Sequence, residues 1–174
     1  MSAGRREQWQ ERASAYLPGL FGIELLVVER GHLDARLDLR PEFMAPNEYL
    51  HAGTVVTLAD TACGIGCMAS LPEGAAGFTT AELKANFLRS AQARDALRCE
   101  ARLAHGGRTT QVWDATVSRE SDGKVLALFR CTQYLLPAED SRTSCARRRA
   151  DPGRVKMVED RGVVRRTLPS LWCL

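Results

Sequence analysis

The chain has 174 residues, 45% hydrophobic and 26% charged, the balance of an ordinary folded domain rather than a disordered or fibrous segment. No apolar run reaches the roughly 20 residues that a membrane-spanning helix needs, and the charged start, MSAGRREQWQERASAY, does not read as an export signal. Of the 24 Lys and Arg and the 21 Asp and Glu, nine and five fall in residues 137–174, so the net charge of +3 belongs to that segment and the body has no basic stripe to attract nucleic acid.

Residues 4–16 are predicted to form a short helix, with Trp9, Ala13, Tyr16 and Leu17 at helical spacing and Pro18-Gly19 ending it. A strand around Ile23–Glu29 and a turn at Arg30-Gly31 follow. Residues 32–40 then alternate: Leu33, Ala35, Leu37 and Leu39 face one side, and His32, Asp34, Arg36, Asp38 and Arg40 the other, as in a half-buried antiparallel strand. Pro41 and Pro46 mark 41–50 as a loop. From Ala52 to Ser70 the chain is apolar nearly all round, which predicts a buried helix stopped by Pro72 and Gly74.

Four more alternating runs come after it. Residues 78–89 set Ala81, Leu83, Ala85 and Phe87 against Thr80, Glu82, Lys84 and Asn86. Residues 96–105 bring Leu97, Cys99, Ala101 and Leu103 together, and 108–118 joins 124–136 through the turn residues Ser121-Asp122-Gly123. One buried helix and a meander of long antiparallel strands predict an α+β domain, a sheet wrapped around a central helix. Periodicity ends at Leu136, and the Arg-rich remainder reads as a disordered tail. Cys63, Cys67, Cys99, Cys131, Cys145 and Cys173 form no C-x-x-C pair, so reduced thiols of a cytoplasmic protein are expected rather than a metal site.

The chemistry concentrates in Asn47–Thr61. Small residues after His51 open the helix, where the first N–H groups have no internal partner and sit at the positive end of the dipole. They suit an oxygen gaining negative charge, although small residues serve tight packing equally well. Asp60 is more telling, because Asp is a poor helix-interior residue and costly to bury unpaired. Thr57, Asp60, Thr61 and Gly64 form a narrow polar stripe on the apolar helix. The carboxylate is either a satisfied structural group or a general base or nucleophile. Ala52 and Asp60 are separated by about 12 Å along a helix axis at 1.5 Å per residue. If both act on one carbonyl, they must come from two chains related by a two-fold axis.

His51-Ala52-Gly53 followed by Leu58-Ala59-Asp60-Thr61 resembles the H-G-G…L-A-D signature of PaaI-like hotdog-fold acyl-CoA thioesterases. Phe78–Arg89, His105–Arg108 and Ala127–Arg130 resemble later segments of that family in order, over roughly residues 20–136. The resemblance implies an N-terminal helix (1–19), a hotdog domain (20–136) and an extra tail (137–174). It implies hydrolysis of acyl- or aryl-CoA by a homodimer, or by a dimer of such dimers, without metal or other cofactor. Asp60 matches the catalytic carboxylate, and Ala52 matches the residue whose N–H polarises the carbonyl. His51 is the histidine before it, and Thr80 a hydroxyl that helps place water or the carboxylate. Asn47 corresponds to the upstream amide seen in some relatives. The family usually has Gly at position 52. Lys84, Arg89 and Arg108 suit the phosphates of coenzyme A. A non-catalytic acyl-CoA-binding sensor or accessory subunit on the same fold is the alternative.

Overall fold

The computed structural model describes residues 3–138. The basic segment assigned to a disordered tail lies, apart from its first two residues, outside the described residues, as do Cys145 and Cys173. The described chain runs α1 (Ala3–Ser14), α2 (Leu17–Phe21), β1 (Glu24–Glu29), β2 (His32–Asp38), α3 (Ala52–Ala69), β3 (Ala75–Phe87), β4 (Ala96–Gly106), β5 (Thr110–Arg119) and β6 (Val125–Pro137). The six strands form one sheet in the order β1-β2-β4-β5-β6-β3, every neighbouring pair antiparallel.

The alternating runs dictate which face closes. Leu33, Ala35 and Leu37 of β2, Leu97, Cys99 and Ala101 of β4, and Trp113, Ala115 and Val117 of β5 are all buried. They meet Val55, Leu58, Ala59, Ala62, Cys63 and Cys67 of α3, which lies across the sheet. Removing those side chains from water is the main driving force, about 1.5–3 kcal/mol for each large aliphatic one. By length and composition α3 could cross a membrane, but half of it is buried within this domain. It reads as apolar all round because its polar atoms are few, not because every side is covered.

Pro18-Gly19 does not end the first helix, contrary to the sequence expectation. Helix α1 stops at Ser14, and Pro18 sits in the first turn of α2, where its missing N–H costs nothing. Gly22, with φ +75°, caps α2 in the left-handed conformation that suits glycine. Helix α1 then covers the β1 edge: the Gln10 side-chain Oε1 accepts from Leu25 N at 2.7 Å, its Nε2 donates to Ile23 O at 3.1 Å, and Arg6 Nη1 donates to Leu25 O. The other edge, β3, has no such cover among the described residues, and none of its 13 residues is buried.

Gly66 brings α3 close to β5. A Cβ there would stand 2.8 Å from the Trp113 ring, which is fully buried and pinned by a 2.8 Å hydrogen bond from its Nε1 to Gln111. Gly66→Ala improves helix propensity by about 1 kcal/mol, but overpacking costs about 1–3 kcal/mol. A net loss of stability is expected, measured as a lower urea midpoint; an unchanged or raised midpoint would mean that Trp113 yields.

Candidate active site

Both ends of α3 are tied to the surrounding chain. At its start Thr54 Oγ1 donates to Phe43 O at 2.9 Å, His51 N donates to the same carbonyl at 3.1 Å, and Leu50 N donates to Ser90 Oγ at 3.0 Å. At its end Gln111 Nε2 donates to Ser70 O at 3.1 Å, and Gly31 N donates to Ser70 Oγ at 2.8 Å. Midway along this fixed rod stands Asp60, half-buried, with Thr80 Oγ1 donating to its Oδ1 at 3.5 Å. Burial pushes its carboxyl above the usual value of 3.8, and the Thr80 hydrogen bond pulls the other way with less effect. The result is a carboxylate more basic than a surface aspartate, in a sheltered position.

Thr80 reaches Asp60 because of a bulge that alternation does not reveal. Thr80 and Glu82 pair with consecutive residues of β6, Gln133 and Thr132, so Ala81 is the extra residue. The register shift turns Thr80 to the helix side with Phe78, while beyond it Ala85 packs on the core. The sequence expectation that Thr80 shares a polar face with Glu82, Lys84 and Asn86 is therefore corrected.

His51 is the N-cap of α3, in extended conformation, and its Nδ1 accepts from Gly53 N at 2.9 Å. That bond uses the Gly53 amide and leaves the preceding one. Ala52 is exposed at the first helical position, and among the described residues no acceptor meets its N–H. Asn47 is exposed in the preceding loop, where its side-chain oxygen accepts from Tyr49 N at 3.3 Å. The structure thus brings Asp60 and Thr80 together, and His51 and Ala52 together about eight residues away.

The cations divide. Ser90 holds the helix start, so Arg89 lies at that end, where its Nη1 donates to Val125 O at 2.9 Å. Arg108 is exposed at the far end of β6, beside Thr109, whose carbonyl accepts from Leu135 N. The ten steps from residue 125 to residue 135 span about 33 Å of strand, so one chain cannot bring both arginines to one phosphate. Lys84 is exposed on β3.

Cysteine chemistry does not compete with Asp60. Cys63, Cys67, Cys99 and Cys131 are free and buried. A hydrogen bond with Cys131, then burial, pushes the Cys63 thiol up; burial raises Cys67 to about 12 and Cys99 higher still. None of these three is a thiolate near neutral pH. The ligand atoms of His32, Asp34 and Glu100 lie within 4.8 Å of one another, but on the sheet face opposite α3, where Glu100 also pairs with Arg102.

Three residues that sequence reasoning passed over matter here. Ser90 anchors the helix start, and Gln111 anchors its end. Gln133 is buried beside Thr80. The glutamines had a signal, since each occupies the inward phase of an otherwise apolar strand.

Residues 47–126 match the family model described as the thioesterase superfamily. The chain is 36% identical over 111 residues to a 1,4-dihydroxy-2-naphthoyl-CoA hydrolase of Listeria monocytogenes serotype 1/2a (strain 10403S), covering 64% of this chain and 88% of that one. It is 28% identical over 109 residues to the acyl-coenzyme A thioesterase PaaI of Escherichia coli (strain K12), covering 63% and 74%. Among solved structures, a mutant thioesterase from Pseudomonas aeruginosa superposes with a TM-score of 0.70 at 28% identity, covering 76% of this chain and 94% of that one.

Proposed function

This chain belongs to the thioesterase superfamily and is a thioester hydrolase of the hotdog fold, and we propose that it hydrolyses acyl- or aryl-CoA at sites shared between two subunits. Asp60 supports this most directly: a half-buried carboxylate with raised basicity, held by a hydroxyl, the only charged group on a largely apolar helix.

In the proposed reaction the thioester carbonyl oxygen accepts from the Ala52 N–H at the helix start of one subunit. Asp60 of the other subunit takes a proton from water as the water oxygen bonds to the carbonyl carbon. The negative charge that develops on the carbonyl oxygen is met by the amide and the helix dipole, an effect of about 3 kcal/mol for a single such donor. Collapse of the tetrahedral intermediate breaks the C–S bond, and the proton held by Asp60 returns to the departing thiolate. The products are a carboxylic acid and free thiol. Thr80 acts as a positioning residue: its hydroxyl holds one carboxylate oxygen and leaves the other for water.

Two-fold pairing has independent support in the sheet. The β1 edge is covered by α1, whereas β3 ends the sheet with Leu83 43% and Phe87 49% exposed. A long edge strand with exposed apolar side chains and unpaired backbone groups favours a partner. A second copy joined along β3 would cover these side chains and bring the exposed faces of the two α3 helices near one another. His51 orders the helix start, Arg89 is the cation nearer to it, and the Asn47 loop borders it.

Released thiol measured over a panel of thioesters tests the assignment. Aromatic substrates, beginning with a hydroxylated naphthoyl-CoA, should be compared with short and long acyl chains on coenzyme A and on acyl-carrier protein. Turnover of at least one CoA ester is expected. Tight binding of CoA esters without thiol release from any of them would instead establish a non-catalytic acyl-CoA sensor.

A further inference from the structure

Gln133 is fully buried on β6, and among the described residues neither its Oε1 nor its Nε2 has a hydrogen-bond partner. Leaving a buried amide unpaired costs about 1–3 kcal/mol, so such a group is normally satisfied by an internal water or put to use. Its surroundings indicate which polar atoms are in reach. Gln133 is the cross-strand partner of Thr80 on β3 and of Gln111 on β5. Side chains directly opposite on one face of an antiparallel pair are neighbours. Gln111 is held in orientation at the far end of α3, donating one amide proton to Ser70 O and accepting from Trp113 Nε1. Thr80 is the neighbour that touches Asp60: its hydroxyl gives its one proton to that carboxylate and keeps lone pairs that accept.

We propose that Gln133 is a positioning residue for the Asp60 site: its buried amide donates through one internal water to the Thr80 hydroxyl, committing the Thr80 proton to Asp60. A hydroxyl rotates freely and can point its proton at any acceptor. Once a donor occupies its lone pair, the proton is confined to the remaining directions, and the carboxylate lies in one of them. The relay runs Gln133 Nε2–H to water, water to Thr80 Oγ1, and Thr80 O–H to Asp60 Oδ1. No bond to carbon changes and no proton is consumed; the relay sets the geometry of the carboxylate that activates the attacking water. Nothing in the α3 sequence predicts it, because the amide comes from β6 and reaches the site only through the bulge at Ala81.

This inference rests on Asp60 being the catalytic carboxylate, so the experiment begins with wild type and Asp60→Asn on a CoA thioester that wild type turns over. If Asp60→Asn keeps full activity, that underlying reading fails and this one fails with it. Given a dead Asp60→Asn, steady-state kinetics of Gln133→Met, Thr80→Val and the double variant decide the matter. Met nearly conserves the volume of Gln and removes both polar atoms; Gln133→Leu is the second variant should Met disturb folding. The relay predicts that Gln133→Met lowers kcat about fivefold, one neutral hydrogen bond's worth, with KM unchanged. It also predicts that the double variant is no slower than Thr80→Val alone. A merely structural glutamine would shift the melting temperature, but its effect on kcat would add to that of Thr80→Val. Unchanged kcat in Gln133→Met and Gln133→Leu, or additive losses in the double variant, would overturn the proposal while leaving Asp60 in place.

Discussion

Asp60→Asn is expected to lower kcat by roughly a hundred- to ten-thousand-fold, the range that positioned general acid–base groups contribute. The substitution keeps shape and one oxygen that can accept from Thr80, so the loss measures proton transfer rather than packing. Stability should move the opposite way. Burial raises the folded-state pKa of Asp60 above its unfolded value, so the folded state binds more protons than the unfolded state in the window between them. Stability therefore falls as pH rises through that window, and the deficit is complete above it. Asparagine carries no charge to desolvate. At pH 7 the variant should melt higher than wild type, and the gain should vanish as pH drops below the ordinary aspartate range. The wild-type kcat/KM profile should lose activity on its acid side at a pH above that range. An inactive variant that is also less stable at pH 7 would point to a structural aspartate.

The second large effect concerns the other end of the helix. Ala52→Pro deletes one N–H and little else. Proline is well tolerated at the first helical position. His51 already has φ −66° and ψ 131°, the extended backbone that a residue before proline prefers. Folding should survive, and kcat should fall roughly a hundred- to thousand-fold, as when a single oxyanion donor is lost. Ala52→Gly keeps the amide and should stay near wild type.

Combining the two variants tests the shared site. In a mixed dimer of Asp60→Asn and Ala52→Pro chains, one site carries both defects and the other carries neither. Co-refolding equal amounts of two nearly dead proteins should therefore restore about a quarter of wild-type activity, because half of randomly paired dimers are mixed and each holds one intact site. If both groups served the same site within one chain, mixing would restore nothing. No recovery despite demonstrated subunit exchange, or a protein that sediments as a monomer while active, would sink the two-subunit mechanism.

Much of this protein was legible without coordinates, for a local reason. Period-two alternation in β2, β4 and β5, and the apolar run of α3, report directly which face each element buries, since a side chain's direction follows from its own backbone. The turn at Ser121–Gly123 and the helix start after His51 were equally local. Asp60 stood out because a carboxylate amid Leu58, Ala59, Ala62 and Cys63 is costly wherever that helix packs. What alternation missed depends on pairing between distant segments. The bulge at Ala81 exists only relative to β6, and it reverses the facing of Thr80. Gly66 looks like a helix defect until Trp113 of β5 arrives against it. Gln133 shows in sequence only as a polar residue on the inward phase of β6; that its amide is buried and unpaired emerges only when β3, β5 and α3 enclose it. The sequence by itself determined which faces are buried and which carboxylate is out of place; only the tertiary structure decided what touches that carboxylate, because those contacts join residues far apart along the chain.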